Sequence, residues 1–345
     1  MTAILRHFDR QAAACRELGS PFTGRLAALH PLYLDRSTAV GDRILDWAGD
    51  PQADIPSVRL FGGLHALVLA GDDADLARAY PPHAATDEQL GGAVRAALVR
   101  HEAALMQALD GPPQTNEAAR SAMLLPGFLT LAGEVGRPFD ILELGASAGV
   151  NLGWDAYRYS LGGRDWGPAD AALRIAVEAQ GLPDFGGRAV AVIRRRACDR
   201  APLDPRRPAE RLRLMSYVWA DQAARLARLA TALDEVIRRD IRVERADAAD
   251  FAEARLAEPP LPGALRVVVH TIVWQYLQPA IRRRIEAAIL RAAAAGPVAW
   301  LRLEPDGRTP DAGLHLTALL DGPTSRRDRL LARADFHGRW INWCG

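Results

Sequence analysis

Length, composition and charge indicate how many domains the chain can form and which classes of partner it can bind. It has 345 residues, 49% hydrophobic and 25% charged, which suits two domains or one large domain with an extension. Its 43 basic and 42 acidic residues leave a formal net charge of +1, so nucleic acid is not expected as the main partner. All basic residues are arginine. The absence of lysine excludes a Schiff-base lysine, a phosphate-loop lysine and a Tyr-x-x-x-Lys dehydrogenase dyad.

The cysteines and the hydropathy pattern indicate a reducing compartment and no bound metal. Cys15, Cys198 and Cys344 are far apart and odd in number, so they form neither a disulfide framework nor a metal-ligand spacing. The N-terminus lacks the apolar core of a signal peptide, and no run reaches the roughly 18 apolar residues of a membrane span. We therefore expect a cytoplasmic protein that acts on a small molecule, with no metal and no nucleic-acid or membrane partner.

Residues 1–133 predict a helical cap domain. Apolar residues recur at intervals of three or four from Phe8 to Leu18, which is the pattern of one helix face. Further helices are expected over 57–71, which is almost entirely apolar, and over 86–109. No convincing β-strand alternation interrupts these patterns, so several packed helices are the expected architecture.

The polar segment 114–121, QTNEAARS, precedes the helix that leads into the next domain. Thr115 or Asn116 is predicted to cap this helix, with Glu117 in its first turn. Arg120 lies on roughly the same helix face as Asn116. Two interpretations stay open: an ordinary cap with a solvated charged face, or a polar cluster of Asn116, Glu117 and Arg120 that faces a ligand cleft and binds substrate.

The sequence pattern of residues 134–345 predicts a Rossmann-like α/β domain with a doubly wound, mostly parallel sheet. Buried apolar runs alternate with helical patterns, as in strand–helix–strand units. The segment near 157–187 is predicted to be an insertion with a hairpin at Gly162-Gly163. The last two runs predict a C-terminal antiparallel hairpin. The expected strands are the run that leads into Glu143, then 173–177, 189–193, 241–246, 265–269, 297–303, 314–320 and 330–343, with helices over 208–239 and 279–295.

The stretch FDILELGASAGVNL, residues 139–152, has the order of a buried strand, a tight turn and a helix N-terminus. Small residues around Gly145, Ser147 and Gly149 form the turn, so a ligand can approach the backbone closely there. A dinucleotide fingerprint needs Gly-x-Gly-x-x-Gly, which this turn lacks. Doubly wound sheets bind ligands beyond the carboxyl ends of their strands. The later strands are predicted to end at Asp199, Asp247, His270 and Glu304.

From Phe139 to Trp343 the chain resembles the class I S-adenosylmethionine-dependent methyltransferases. In that family the first strand carries an acid, x, Gly, x, Gly, x, Gly motif, and residues 143–149 are similar, with serine in the middle position. The resemblance implies a seven-stranded sheet that ends in a hairpin, methyltransferase activity and S-adenosylmethionine as cofactor. The cofactor-binding residues that it implies at the turn are Glu143, Gly145, Ala146, Ser147 and Gly149.

Two later strand ends complete the implied cofactor site. Asp199 resembles the acid that bonds the ribose hydroxyls in the family, and Asp247-Ala248 resembles the pair that contacts adenine. About 50 residues separate the glycine turn from Asp199, against the ~20 that are usual between such a turn and its ribose acid. Asp170 and Glu178 therefore stay open as alternatives for the ribose acid.

The whole chain also resembles an uncharacterised bacterial family known only as a domain of unknown function. The resemblance lies in TNE-x-x-R-S at 115–121, in ELGASAG-x-NL at 143–152, in Trp166-Gly-Pro and in His-Gly-Arg-Trp at 337–340. It implies the methyltransferase-like fold and supplies no substrate.

Methyl transfer needs an aligned acceptor and exclusion of water more than it needs reactive side chains. His270, at the end of the fourth predicted core strand, is the candidate general base for an acceptor that must lose a proton. Tyr276 follows it closely and is the second candidate catalytic residue, lining the acceptor pocket. A core histidine and a packing tyrosine are the alternative interpretations.

Two further functions stay open. Residues 145–149 also read Gly-x-Ser-x-Gly, the turn that carries the nucleophile of α/β-hydrolases. With Ser147 as nucleophile, Glu304 or Asp247 as acid and His337 as base, an esterase is the second hypothesis. The third is a methyltransferase-like protein that binds its ligand without catalysis.

Overall fold

The structure, a computed structural model, describes residues 2–345 and divides into two compact units. The helical unit comprises the chain up to Thr115 together with Arg206–Ala230, and the sheet unit comprises Asn116–Pro205 together with Thr231–Gly345. This division differs from the predicted boundary at 133. Residues 116–133 belong to the sheet unit, because their helix packs on the sheet, and a later segment of the chain returns to the helical unit.

Helices form the helical unit and flank the sheet. One begins as its sequence predicts: Thr86 Oγ1 accepts the Gln89 N–H at 3.2 Å, and the Gln89 side chain accepts the Thr86 N–H at 2.8 Å, which is a capping box. The helices are α1 (Ala3–Glu17), α2 (Pro21–Ala28), α3 (His30–Tyr33), α4 (Ala39–Leu45), α5 (Pro51–Asp54), α6 (Pro56–Ala70), α7 (Ala74–Arg78), α8 (Asp87–Arg100), α9 (Glu102–Asp110), α10 (Arg120–Val135), α11 (Pro208–Ser216), α12 (Ala223–Arg238), α13 (Ala248–Ala257) and α14 (Pro279–Ala293).

The returning segment is tied to the helical unit through α6. A Cβ built on Gly62 would lie 2.6 Å from a ring carbon of Tyr217, so the missing side chain leaves room for the tyrosine ring. The buried His65 ring bonds through Nδ1 to the carbonyl oxygen of Ser216 at 3.1 Å. These close contacts explain why residues 206–230 leave the sheet unit, which periodicity alone did not indicate.

Within residues 2–345, eleven strands form one mixed sheet in the order β3-β2-β4-β11-β10-β9-β8-β7-β1-β5-β6. Parallel pairs join β6-β5-β1-β7-β8 and β11-β4-β2, and the other neighbours are antiparallel. The predicted mostly parallel α/β sheet is thereby confirmed. The strands are β1 (Phe139–Leu144), β2 (Arg158–Leu161), β3 (Arg164–Trp166), β4 (Arg174–Gln180), β5 (Val192–Asp199), β6 (Glu244–Arg245), β7 (Leu265–Thr271), β8 (Val298–Pro305), β9 (Ala312–Leu319), β10 (Arg327–Ala334) and β11 (Trp340–Trp343).

The strand order reverses beside β1. The chain passes from β1 to β5 and β6 on one side, and then crosses back to β7 and β8 on the other side. A doubly wound sheet opens a crevice at such a reversal, outside the carboxyl ends of its strands. The glycine turn follows β1 directly and therefore lies at this crevice.

The two faces of β1 pack against different helices. Leu142 and Leu144 face α13 and α14, in one apolar cluster with Phe251 and Ile285. On the other face Phe128 of α10 lies over the sheet and stacks on a tryptophan of the following 3₁₀ helix. Because successive side chains of a strand alternate between faces, Glu143 points to the α10 face.

Three predicted elements are interrupted. The expected helix 208–239 divides into α11 and α12, and the expected helix 86–109 divides into α8 and α9 at His101. The expected strand 330–343 divides into β10 and β11, because Asp335 accepts the backbone N–H groups of His337 and Arg339 at 3.0 and 3.1 Å and closes a turn. Residues after the glycine turn form a 3₁₀ helix, Val150–Ala156, instead of an α-helix.

One stretch, Pro51–Ala70, meets the length and hydropathy of a membrane-spanning helix, and 44% of its window is buried in the structure. A single such stretch is weak evidence of a membrane span, because buried core helices have the same composition.

Candidate functional site

The glycine turn after β1 is built from left-handed backbone conformations. Gly145 has φ +71° and Gly149 has φ +79°, and both values favour glycine. Ser147 has φ +53°, which a residue with a side chain adopts rarely. Such strain tends to occur at functional sites, where the surrounding structure holds it in place.

All backbone N–H groups of the turn, from Gly145 to Gly149, donate hydrogen bonds to acceptors within the protein. Because each N–H has an acceptor within the protein, the turn has no free donor for a phosphate or another anion. The donors and acceptors are Gly145 N and Ala146 N to Cys198 O (2.9 and 3.0 Å), Ser147 N to Asp199 Oδ2 (2.9 Å), Ala148 N to Asn116 Oδ1 (3.3 Å) and Gly149 N to Ala146 O (2.8 Å).

Asn116 and Asp199 hold the turn from two sides. The Asn116 amide donates to Ser147 Oγ at 2.8 Å and accepts from Ala148 N, so its side chain spans the turn. Asp199 accepts from Ser147 N through one oxygen and from Ala201 N at 2.9 Å through the other. The predicted helix cap at Thr115 or Asn116 is therefore wrong: α10 begins at Arg120, and the Asn116 side chain contacts the glycine turn instead.

Glu143 is a buried acid without a hydrogen-bond partner at one oxygen. It is 3% exposed, and within residues 2–345 its Oε2 atom has no partner. Burial, and secondarily the charge of Asp199, raise the pKa of Glu143 to about 8. An unpaired buried carboxyl group is costly to the fold, so its retention at a crevice suggests a ligand that pairs with it.

Asn151 adds a second unpartnered acceptor that sequence reasoning did not select. It lies in the 3₁₀ helix directly after the turn, and its buried Oδ1 atom has no partner in the described chain. The sequence signal was present, since Asn151 is part of the ELGASAG-x-NL motif. Glu143 and Asn151 thus flank the turn with acceptor oxygens.

The end of β7, the strand beside β1, is the second wall of the crevice. Ile272 follows the strand with φ +52°, which is strained for a β-branched residue. A Cβ built on Gly145 would lie 2.5 Å from Val273 Cγ2, so this loop packs directly on the glycine turn. Ser147 and Ile272 therefore place strained backbone at the ends of both strands that border the reversal.

His270 forms a close pair with Glu304. Its Nδ1 atom lies 2.6 Å from Glu304 Oε1, and the same oxygen accepts the Val273 N–H at 3.0 Å. Glu143 is in register with Val269, so His270 points to the opposite face of the sheet from Glu143, toward α13 and α14. Glu304 was predicted only as a strand end or a hydrolase acid, and its partnership with His270 needed the alignment of β7 and β8.

Other predicted residues lie apart from the turn or already have structural contacts. Asp247 caps α13 by accepting the N–H groups of Ala249 and Asp250, and Ala248 is buried in the first turn of that helix. Tyr276 is 74% exposed, so it lines no enclosed pocket here.

The remaining predicted substrate residues lie near the C-terminal turn or within their own segment. The Arg120 Nε–H donates to the carbonyl oxygen of Phe336 at 2.9 Å, and Glu117 Oε1 accepts the Ala119 N–H at 3.0 Å. Both side chains are buried, so the solvated charged face that the sequence also allowed does not form.

The alternative ribose acids lie far from the turn along the sheet. Glu178 is an exposed residue of β4, which β7 to β11 separate from β1, and Asp170 lies in the exposed turn before β4. Asp199 ends β5, the direct neighbour of β1. Of the three candidate acids, only Asp199 contacts the glycine turn in the described chain.

The contacts of the hydrolase candidates differ from those of a catalytic triad. Ser147 Oγ accepts from the Asn116 amide, and Glu304 pairs with His270. The N–H of Ala148, which follows the serine, donates to Asn116.

No group of three metal-ligating side chains occurs within residues 2–345.

Gly145→Ala is expected to lower the free energy of unfolding more than Gly136→Ala. Both glycines have positive φ, but a Cβ on Gly136 meets nothing within 4 Å, whereas a Cβ on Gly145 meets Val273. We expect a loss of about 1 kcal/mol at Gly136 from the backbone alone, and about 1–3 kcal/mol more at Gly145 from overpacking. Guanidinium unfolding measures both losses, and equal losses would show that the loop at Val273 moves away without resistance.

Comparison with known proteins identifies the family. A family model described as "Uncharacterized protein conserved in bacteria (DUF2332)" matches residues 6–343. No curated protein and no solved structure matches the chain. The match covers the Asn116 segment, the glycine turn and the His270–Glu304 pair. The chain therefore belongs to this bacterial family, as the sequence motifs predicted.

Proposed function

We propose that this protein binds S-adenosylmethionine at the end of β1 and transfers its methyl group to a small-molecule acceptor in the cytoplasm. The observation that carries the proposal is the set of polar atoms at the glycine turn. The backbone N–H groups from Gly145 to Gly149 are all bonded within the protein, which disfavours a phosphate-rich cofactor. The unpartnered oxygens of Glu143 and Asn151 suit a ligand that donates hydrogen bonds.

The charge of S-adenosylmethionine also suits these groups. The ligand carries positive sulfonium and ammonium groups, and it supplies a methyl group that the sulfonium sulfur already activates. A cation close to Glu143 lowers the pKa of its carboxyl group and favours the ionised form, opposing the effect of Asp199. Glu143 and Asn151 would hold the amino group. Asp199 would hold the ribose hydroxyls, because each of its oxygens keeps a second lone pair.

The sheet order gives independent support. The strands β6-β5-β1-β7-β8 are parallel, the order in which the chain adds them reverses beside β1, and antiparallel strands follow β8. This arrangement agrees with a Rossmann-like methyltransferase sheet and its terminal hairpin, extended here by β11, β4, β2 and β3. The fold-level likeness is an analogy, so the proposal depends on the groups at the turn.

Binding of S-adenosylmethionine is expected to release a proton at about pH 7, because Glu143 must ionise to pair with the ligand. Calorimetry in two buffers of different ionisation enthalpy measures the released proton. Glu143→Gln is expected to bind more weakly and to abolish the release. Glu178→Gln, which changes an exposed carboxylate on β4, is the matched control.

Titrations with S-adenosylhomocysteine and with NAD⁺ complete this test. S-adenosylhomocysteine, which lacks the sulfonium charge, should still bind. NAD⁺ should not bind and should give no heat. A folded wild-type protein that binds neither S-adenosyl compound would refute the proposal. Binding without methyl turnover across a panel of small molecules would favour the protein that has lost catalysis.

A hydrolase is the second candidate, because Ser147 has the strained backbone of a nucleophile turn. Against it, the Ala148 N–H that would stabilise an oxyanion is bonded to Asn116. A fluorophosphonate probe that labels the wild-type protein and spares Ser147→Ala would establish the hydrolase.

A further inference from the structure

The His270–Glu304 pair is buried. His270 is fully buried, and its Nδ1 atom lies 2.6 Å from Glu304. In the tautomer whose Nδ1–H donates to Glu304 Oε1, Nε2 carries a free lone pair. The carboxylate–imidazole arrangement is the one that holds a catalytic histidine in the tautomer of a base.

Three polar atoms of this cluster have no hydrogen-bond partner within residues 2–345. They are His270 Nε2, Glu304 Oε2 and the Trp300 indole N–H. The His270 and Trp300 rings lie 5.8 Å apart, so the three atoms belong to one small cluster. An unpartnered buried polar group is costly to the fold, so a purely structural histidine would be expected to satisfy its second nitrogen.

His65 shows the contrast within the same chain. It is also buried, but its Nδ1 atom bonds to a backbone carbonyl, and neither of its ring nitrogens is among the buried unpartnered atoms. Burial lowers the pKa of His65, which keeps its ring neutral. His65 is therefore a natural internal control for a core histidine.

The pair is linked to the glycine turn through one loop. Val273 donates its N–H to Glu304 and packs its side chain against the position of Gly145. The strained Ile272 precedes it, and Trp274 follows and stacks on the His270 ring at 5.0 Å between ring centres. Trp274, which stacks on the imidazole, thus belongs to the loop that borders the proposed cofactor site, and this loop joins the face of the sheet that carries His270 to the glycine turn.

We infer that His270 Nε2 is the proton acceptor for a methyl acceptor with an O–H or N–H group, and that Glu304 is its positioning residue. The inference rests on the proposed function and names its substrate class. A bond forms between the acceptor oxygen or nitrogen and the methyl carbon, and the carbon–sulfur bond breaks with its electron pair left on sulfur. The acceptor proton passes to His270 Nε2 and then to solvent.

Trp274 controls access to this nitrogen. The imidazole has no exposed surface, and the indole ring covers it from the 3₁₀ helix Trp274–Tyr276. A substrate therefore reaches His270 only when the packing around the ring opens, and the stacked Trp274 is the side chain whose removal should open it.

The first experiment tests the state of the histidine without any acceptor. In ¹⁵N-histidine NMR spectra of the full chain, His270 is expected as the Nδ1–H tautomer, and Glu304→Gln is expected to shift it toward Nε2–H. Diethylpyrocarbonate, which attacks an unprotonated imidazole nitrogen, should leave both buried histidines of the wild-type protein largely unmodified, and should modify His270 but not His65 in Trp274→Ala. If His270 stays as unreactive as His65 even in Trp274→Ala, or keeps its tautomer in Glu304→Gln, the inference is overturned.

The second experiment separates this inference from the proposed function. Binding of S-adenosylhomocysteine is expected to be unchanged in His270→Asn, while methylation of phenols, alcohols or amines falls by about 10²- to 10⁴-fold, the usual contribution of a general base. Unchanged turnover in His270→Asn, or methyl esters as the only products, would overturn the inference alone. Absence of cofactor binding in the wild-type protein would overturn the proposed function, whereas the NMR and modification results would still report on His270.

Discussion

Glu143→Gln is expected to be more stable than the wild-type protein, and the difference is expected to widen as the pH rises from about 4.5 to about 8. Folding raises the pKa of this carboxyl group, so the folded protein keeps a proton that the unfolded chain has lost. The wild-type protein therefore loses stability across this interval, whereas the amide does not titrate. Below about pH 4.5 both variants should be alike. At about pH 7 the gain is on the order of 3 kcal/mol.

Urea unfolding at a series of pH values measures this difference directly. Subtracting the wild-type curve removes the titration of every group that the two proteins share. Glu178→Gln, which removes an exposed carboxylate from β4, corrects for the change in net charge. A stability difference that stays constant with pH would contradict a raised pKa at Glu143. A positive result would show that the protein keeps a destabilising acid at the crevice, as expected where a carboxyl group has a binding role.

The core strands were predictable from the sequence because parallel strands are buried on both faces. Three continuous apolar runs form core strands, with small shifts at their ends. The run that leads into Glu143 is β1, the run 265–269 is β7 and the run 297–303 is β8. Gly162-Gly163 likewise marked the hairpin of β2 and β3, because both glycines have positive φ.

The wider sheet was less predictable because its outer strands are short and half exposed. β11 and β4 pair in parallel although Gln180 and Trp340 are far apart in the chain, and no local pattern specifies such a partner. The return of 206–230 to the helical unit depends on the fit of Tyr217 to Gly62, which is also a long-range contact.

The site shows the same division between local and long-range information. The glycine turn could be predicted from the local sequence, because its glycines favour the left-handed backbone conformation that the turn requires. The sequence left two roles open for Asn116, a helix cap or a member of a polar cluster at the ligand cleft. The cap is wrong, because the Asn116 amide bonds to the glycine turn instead. The pairing of His270 with Glu304 depends on the register of β7 against β8, in which Thr271 is opposite Leu303.

Asp140→Asn is expected to be the most destabilising of these substitutions, with a loss of about 3–5 kcal/mol in the free energy of unfolding, the usual result of removing one partner of a buried ion pair. Asp140 is fully buried in β1 on the face opposite Glu143. Arg194 donates two hydrogen bonds to the Asp140 carboxylate, of 2.9 and 2.7 Å. The nearest nitrogens of Arg196 and Arg266 lie 3.5 and 4.0 Å from Asp140 Oδ2.

The loss arises because one carboxylate balances one buried cation, Arg266, and two partly buried ones. Arg266 is only 2% exposed, and burial lowers the pKa of its guanidinium group. Without Asp140 this cation keeps only backbone carbonyl partners, at Leu256 and Glu258. Arg194 and Arg196 still have Glu258 within reach, so they are less affected. The buried Arg266 should therefore account for most of the lost stability.

Chemical denaturation of four variants, Asp140→Asn, Arg266→Met, their combination and Asp165→Asn, tests this argument. Asp165→Asn removes the partner of Arg158 in an exposed pair of similar bond length, 2.8 Å, and its effect should be much smaller. Asp140→Asn combined with Arg266→Met should recover part of the loss, since the second change removes the unbalanced buried charge. If the double variant is less stable than Asp140→Asn by the full effect of Arg266→Met alone, the two residues are not coupled. In that case the charge-balance explanation for Asp140 fails.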